Sequence, residues 1–283
     1  MMKMLKHPIL GRLNQGVVFT SAKAERYPRC DVSGIIVTAR CDIEQDKFNV
    51  LNYVPVVRLS DWLAVDGYDI CLNRAAADLQ GRIRRALKSL ELPDSLLLSQ
   101  SLTSIFEIVV RDPEASRSTR KAEPTFIELI RIEAIIDRCL TGTARSNPDF
   151  YEQFESFGRS LIKELINHRL TGYYYLPAID ANSEQEGFVA LLREVTYLPR
   201  SLVGLIANGV GPDDGKLEAF PNWAAYLDFE ASPFAMPIGE LISPHIEHLL
   251  QTFSYLFGRI GLPDHDEGTI ERMCNVKPEL EQR

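Results

Sequence analysis

The apolar positions of this 283-residue chain change period near residue 70. Before that point they fall in short runs that alternate or are continuously apolar, bounded by polar turns. Gln15-Gly-Val-Val-Phe-Thr20 predicts a short strand after a glycine. Gly34-Ile-Ile-Val-Thr38 is nearly all apolar, the pattern of a strand buried on both faces. Residues Val50 to Leu59 alternate loosely, with Pro55 marking an edge position or a bulge. Separated by turns such as Glu44-Gln-Asp-Lys47, these runs predict a small barrel or curled sheet that exits at Ser60-Asp-Trp62.

Beyond residue 70 the spacing becomes helical. Leu79, Ile83, Ala86, Leu87 and Leu90 share one face until Pro93 ends the run. A second apolar stretch covers 96–110. Residues 111–124, rich in Ser, Pro and charge, read as a linker or mobile loop. A helix is expected over 124–140, with Ile127, Ile130, Ala134, Ile135 and Ile136 inward. Another is expected over 148–170, with Asn147 as N-cap, Phe150, Phe154, Phe157, Leu161 and Leu165 inward, and Gly172 at its end. The segments 173–179 and 187–198 suggest a hairpin, the second being open to a partly helical reading. A short helix over 200–208 closed by Gly209, a strand near 224–229 and a helix from Pro244 to about residue 259 complete the series. Ser243 is the expected cap of that last helix, and Ile246, Leu249, Leu250, Phe253, Leu256 and Phe257 its buried face. The expected fold is α+β: a β-rich, barrel-like module over 1–66, a mainly helical body containing a β-hairpin over 67–263, and a polar tail over 264–283.

Length allows a self-sufficient core, and no apolar run approaches the roughly 18–20 residues of a membrane span. The five cysteines are scattered and odd in number, which points to free thiols in a reducing compartment. A cytoplasmic protein without a membrane partner is expected. A net charge of −8 argues against generic nucleic-acid binding. The charge is unevenly placed, however: residues 1–29 hold six Lys/Arg against one Glu, and 180–230 hold nine acids against three bases.

Candidate chemistry starts from a doublet. Arg29-Cys30-Asp31 and Arg40-Cys41-Asp42 bracket the most strand-like run of the N-terminal third. Cys30 and Cys41 allow a zinc site, a reactive thiolate beside Arg29 or Arg40, or buried free thiols. Ten intervening residues lack the close pairing of a zinc knuckle, and no histidine is near in sequence. Asp31, Asp42 and Glu44 invite comparison with metal-dependent nucleases, in which acids on adjacent strands precede an acid-x-Lys pair. That slot here reads Gln45-Asp-Lys47, a glutamine where the acid belongs. Asp42, Glu44 and Asp46 would share one face if the strand continues, and form a solvated turn if it does not. His245 and His248 lie three apart on the final helix, close enough for metal binding or for ordinary packing. Arg74, Arg84, Arg85 and Lys88 occupy one polar helix sector. With Arg117, Arg120 and Lys121 of the following loop they form a candidate phosphate-binding surface, the alternative being a solvated face balanced by acids. No phosphate loop, dinucleotide fingerprint or nucleophile elbow is present in the sequence.

Ile35-Ile-Val-Thr, followed by Cys41-Asp-Ile43 and then Val54-Pro-Val-Val-x-Leu59, resembles the N-terminal β segment of a group of uncharacterised bacterial proteins. Some of those occur near phage-defence and mobile-element genes. The likeness covers about 30 residues, with Ala39 where that pattern carries Gln, and it implies a context rather than an activity. The expected function is therefore a non-catalytic recognition or regulatory component of a bacterial antiviral defence-type system. It would bind a protein partner, or nucleic acid through the local basic patch, and need no cofactor. The alternatives are a nuclease or phosphodiesterase using a divalent metal on Asp31, Asp42 and Glu44, and a structural subunit of a homo-oligomer joined through the final helix.

Overall fold

The computed structural model describes residues 4–141, 154–180 and 187–258. Its framework is one antiparallel sheet of eight strands. These are β1 (Leu5–Lys6), β2 (Val17–Phe19), β3 (Ser33–Ile36), β4 (Val50–Arg58), β5 (Tyr173–Leu176), β6 (Phe188–Leu191), β7 (Thr196–Pro199) and β8 (Pro237–Leu241). The order is β1-β8-β2-β3-β4-β6-β5, with β7 also pairing β4. The mixed α+β class expected from the sequence is found, and the sheet is a curled half-barrel. Its strands come from both 5–58 and 173–241, so the β segment near the N-terminus is continued by strands from the second half of the chain.

Alternation along each strand feeds two cores. Val17, Phe19, Ile36, Leu51, Tyr53, Val57, Val189 and Leu198 face the helical body. Val18, Ile35, Val54, Val56, Tyr174, Phe188, Ala190 and Leu241 face the other way, toward the final helix. Burial on both faces is what the near-continuous apolar run 34–38 anticipates. Pro55 has a different role from either one expected of it. β4 pairs β7 through Val50–Tyr53 and β6 through Val56–Arg58, both antiparallel, leaving Pro55 at the change of partner. A residue without an N–H costs least where one neighbour ends and the next begins. Gly34 is required for space. A Cβ there would lie 2.5 Å from the Phe19 ring and 2.7 Å from the Tyr53 ring. Those rings meet edge to face at 5.0 Å over the glycine.

Among the described residues five longer helices pack with the sheet: α1 (Tyr68–Ser89), α2 (Glu123–Thr141), α3 (Glu155–Ile166), α4 (Arg200–Asn208) and α5 (His245–Phe257). α1 buries the expected Leu79, Ile83, Ala86 and Leu87. The phase of α2 differs from expectation: Phe126, Leu129, Ile132, Ile135, Ile136 and Cys139 are buried, while Ile127 is exposed. Phe126 is the first inward position of α2 and lies against Phe106 with centroids 6.2 Å apart. α3 ends at Ile166 rather than near Gly172, and the expected Asn147 cap and Phe150 lie outside the described residues. His168 closes it in a left-handed conformation, with Arg169 N–H reaching the Glu164 carbonyl at 2.8 Å. The hairpin is β5–β6, followed by β7. The strand expected near 224–229 is instead a tight 3-10 turn, Trp223–Ala225, and β8 is a strand the sequence pattern did not signal. α5 starts after Pro244 without a side-chain cap, so Ser243 does not serve as one. Among the described residues no helix is long and apolar enough to cross a membrane.

Candidate functional site

The RCD doublet is split by the fold. β3 and β4 are antiparallel with Ser33 opposite Val56 and Ile36 opposite Tyr53. Asp31 therefore sits at the Arg58 end of β4, and Asp42 lies past the other end of β3, near where β4 begins. The first tripeptide lies in a loop, while the second forms a short exposed helix, Arg40–Glu44. That helix ends the alternation on which a shared face of Asp42, Glu44 and Asp46 depended. Glu44 and Asp46 do line a cavity of about 320 Å³ with Arg12 and Asn14, but neither Asp31 nor Asp42 does. Asp46 is also engaged by Arg200, whose guanidinium stacks over Phe48 at 5.4 Å. Burial raises the Asp31 carboxyl, with Asp61 adding to the effect and Arg58 opposing it. Burial likewise raises the Cys30 thiol, again reinforced by Asp61 and opposed by Arg58. A raised thiol is the reverse of what a reactive thiolate needs. Cys41 is exposed, and Cys71 and Cys139 are buried in the helical body. Among the described residues no three His, Cys, Asp or Glu side chains are placed to hold a metal ion.

The basic residues are partly committed. Arg74 makes a two-pronged pair with Glu164 at 2.8 and 2.7 Å, holding α1 against α3. Arg84 approaches Asp94 at 3.9 Å, and Arg120 donates to the Pro113 carbonyl. Arg82 pairs with Glu128 at 2.7 Å, which sets the end of α1 beside the start of α2. Arg85, Lys88, Arg117 and Lys121 are exposed, the first two on α1 and the last two in the segment that leads into α2. Acids are interleaved there, Glu107 and Glu123 both pairing with Arg111.

His245 and His248 acquire a third ring. His168 stacks on Tyr174 at 4.2 Å and meets His248 at 5.1 Å, while the Tyr174 hydroxyl and His248 Nδ1 share a hydrogen bond of 2.9 Å. Burial and the two neighbouring histidines lower the His168 pKa, and burial pushes Tyr174 up to about 12. The cluster fastens α5 to the outer face of the sheet.

A second polar cluster gathers residues from three places along the chain. Asp66, in a π-helical turn over Leu63–Gly67, is buried. It accepts from the Tyr27 hydroxyl at 2.7 Å and pairs with Arg26, which also holds Asp69. Glu194 accepts from the Glu25 N–H at 2.6 Å. Burial, then its Glu25 and Asp66 neighbours, raise the Glu194 carboxyl against the opposing effects of the Glu25 N–H and Arg26. One guanidinium serves several carboxylates in this network, which ties the 20–31 loop to the start of α1.

A further constellation is aromatic. β7 runs straight into α4 at Pro199, and the chain returns through 3-10 turns at Gly215–Ala219 and Trp223–Ala225. Between them lies a cavity of about 230 Å³, walled by Pro199, Leu202, Phe220, Pro221, Trp223 and Tyr226, with Ser201 and Asn222 also facing it. Buried Leu202, Leu217 and Leu227 anchor both walls. Tyr197 packs on Tyr226 at 5.6 Å, and Trp223 on Phe229 at 5.1 Å. A hydrogen bond to Tyr197 raises the Tyr226 phenol. Among the described residues the Trp223 indole N–H, the Asn222 side-chain amide and the Ser201 hydroxyl make no hydrogen bond.

Sequence reasoning missed this site because its walls come from a stretch with no period, read as a strand. The available signal was the density of aromatic and proline residues over 220–229, inside the acidic segment 180–230. No family model, no curated protein and no solved structure matches this chain.

Proposed function

We propose that this protein is a non-catalytic recognition component of a bacterial defence-type system, an adaptor or regulator that engages a protein partner at the aromatic cavity between β7–α4 and residues 219–226. The observation that carries the reading is that cavity: aromatic walls, a solvent-open mouth and polar atoms with no hydrogen bond to the described residues. Aromatic side chains with a polar handle are the groups that dominate binding surfaces. At about 230 Å³ the cavity is smaller than the roughly 300–1,000 Å³ typical of small-molecule sites, so it suits a few side chains of a partner laid across the surface. The separation of Asp31 from Asp42 supports a non-catalytic role, because paired-carboxylate chemistry needs both acids at one reacting atom. The defence context rests on the resemblance of residues 35–59.

A photo-crosslinking residue at Asn222 tests this in cells. The expected result is a discrete protein adduct that disappears with Trp223→Ala while the circular dichroism spectrum is unchanged. An absent adduct, with metal-dependent cleavage of nucleic acid abolished by Asp42→Ala and Glu44→Ala together, would establish the enzyme instead. Salt-steep nucleic-acid binding lost on charge reversal at Arg84 and Arg85 would move the function to the basic face.

One observation favours a homo-oligomer as a second reading. Tyr255 and Phe257 are 62% and 61% exposed on α5. Sedimentation at two concentrations, with and without Tyr255→Ser and Phe257→Ser, decides it.

A further inference from the structure

The chemistry of the aromatic cavity narrows the partner segment, on the premise that the recognition reading is right. Its walls offer flat apolar surfaces and its rim offers donors, namely the Trp223 indole N–H, the Asn222 amide and the Ser201 hydroxyl. A ligand backbone that presents carbonyls, few N–H groups and rigid apolar rings meets both requirements at once. Proline-containing extended segments have those properties, and their preset backbone loses little entropy on docking.

Charge adds a second constraint. Glu218 and Asp228 bracket the wall segment 219–226, with Glu230 and Asp213 close by in sequence. The cations of the neighbourhood are already engaged. Lys216 pairs with Asp214 at 3.5 Å, Arg200 pairs with Asp46, and Lys23 donates to the Ala224 carbonyl. Glu218 and Glu230 carry no ion pair among the described residues. Lys23 keeps its charge on that neutral carbonyl, yet the acids outnumber it and the flanks are left net negative beside half-buried aromatic rings. A guanidinium or ammonium group is attracted both by the carboxylates and by the ring faces.

We propose that the cavity binds a proline-containing segment of a partner protein with Arg or Lys next to the prolines. The prolines lie against Trp223, Tyr226 and Phe220, the Trp223 N–H donates to a peptide carbonyl, and the basic side chain reaches Glu218 or Asp228.

A random peptide display library selected on the full-length chain tests this. Parallel selections use Trp223→Ala and, because the first variant removes a packed ring, the surface variant Glu218→Lys/Glu230→Lys. The expected result is enrichment of proline-containing sequences with adjacent Arg or Lys, lost on both variants. Synthetic versions should change Trp223 emission saturably, and exchanging proline for alanine or the base for glutamate should weaken binding about tenfold or more. Enriched peptides that lack proline or a base, yet depend on Trp223, overturn this ligand class and leave the recognition reading standing. Peptides held equally by both variants overturn the placement at this cavity. No enrichment, together with no adduct at Asn222, overturns both.

Discussion

Removing the buried carboxylate of Asp66 should cost stability rather than activity, and its size follows from its partners. The Asp66 side chain is 8% exposed and that of Arg26 is 42% exposed. Asp66→Ala leaves the buried Tyr27 hydroxyl without its acceptor, which costs about 1–3 kcal/mol. The Arg26 pair adds about 1 kcal/mol or less, because its guanidinium reaches solvent and keeps Asp69. The expected loss is therefore about 1–4 kcal/mol, a sizeable share of the roughly 5–15 kcal/mol that holds a domain together. Tyr27→Phe, which leaves Arg26 on the carboxylate, should cost about 1–2 kcal/mol. The double variant should cost less than the sum, with a coupling of about 1 kcal/mol or more. Urea unfolding followed by circular dichroism measures all three, and at a slope of about 3 kcal/mol per molar the Asp66→Ala midpoint should fall by about 0.3–1.3 M. A midpoint within 0.2 M of the parent, roughly 0.6 kcal/mol on that slope, would refute the reasoning. Undiminished stability with lost partner binding would mean that this cluster is itself the functional site.

Three further outcomes are expected. Gly239→Ala and Gly81→Ala should have opposite signs. A Cβ at Gly239 would lie 2.3 Å from the Ile179 carbonyl oxygen, a main-chain atom that cannot swing aside, so a loss of about 1–3 kcal/mol or more is expected. Gly81, within α1, has nothing within 4 Å, and alanine there should gain about 0.5–1 kcal/mol, both read by thermal unfolding. Glu194→Gln keeps the acceptor for the Glu25 N–H while removing a carboxyl whose pKa is raised in the fold. Charging that group in the native state is unfavourable, so parent stability falls as pH rises from the ordinary glutamate range through the raised value. The variant should be the more stable at pH 7, with the difference closing on acidification; equal stability at both pH values would contradict it. Of the two tryptophans, Trp62 is fully buried and Trp223 lines the cavity, so Trp223→Phe should remove nearly all acrylamide-quenchable emission.

How far the fold could be read in advance depended on what each pattern reports. Period reports burial of a face, and it placed α1, α4, α5 and β2 to β4 because each presents a face to a core. It could not report partners. Pro55 carries the sequence signal of a break, yet it sits inside a nine-residue strand because β4 exchanges β7 for β6 beside it. β8 reads Pro-Ile-Gly-Glu-Leu, with a proline, a glycine and a carboxylate in five residues. It becomes a strand because β1 and β2 offer it hydrogen bonds on both sides and Lys6 neutralises Glu240 at 2.9 Å. In α2 two apolar series at helical spacing overlap, and the one that packs runs through Phe126, Leu129, Ile132 and Ile136 rather than Ile127, Ile130 and Ala134.

The site was harder to read for a related reason. A repeated tripeptide attracts attention because sequence identity suggests equivalent roles, but equivalence depends on where the backbone goes. Here a short strand places the two copies at opposite ends of one pairing, one in a loop and one on an exposed helix. The residues that do converge are ordinary in sequence: a proline at a strand end, a tryptophan and a tyrosine in an irregular turn, and acids that look like a solvated loop. They meet because Leu202, Leu217 and Leu227 are buried and pull their short segments together. Hydrophobic anchoring of irregular chain leaves larger aromatic neighbours at the surface, where they are available to a partner. On the proposed recognition reading, the apolar residues of the acidic segment therefore shape the contact surface, and its charges set which partner it would attract.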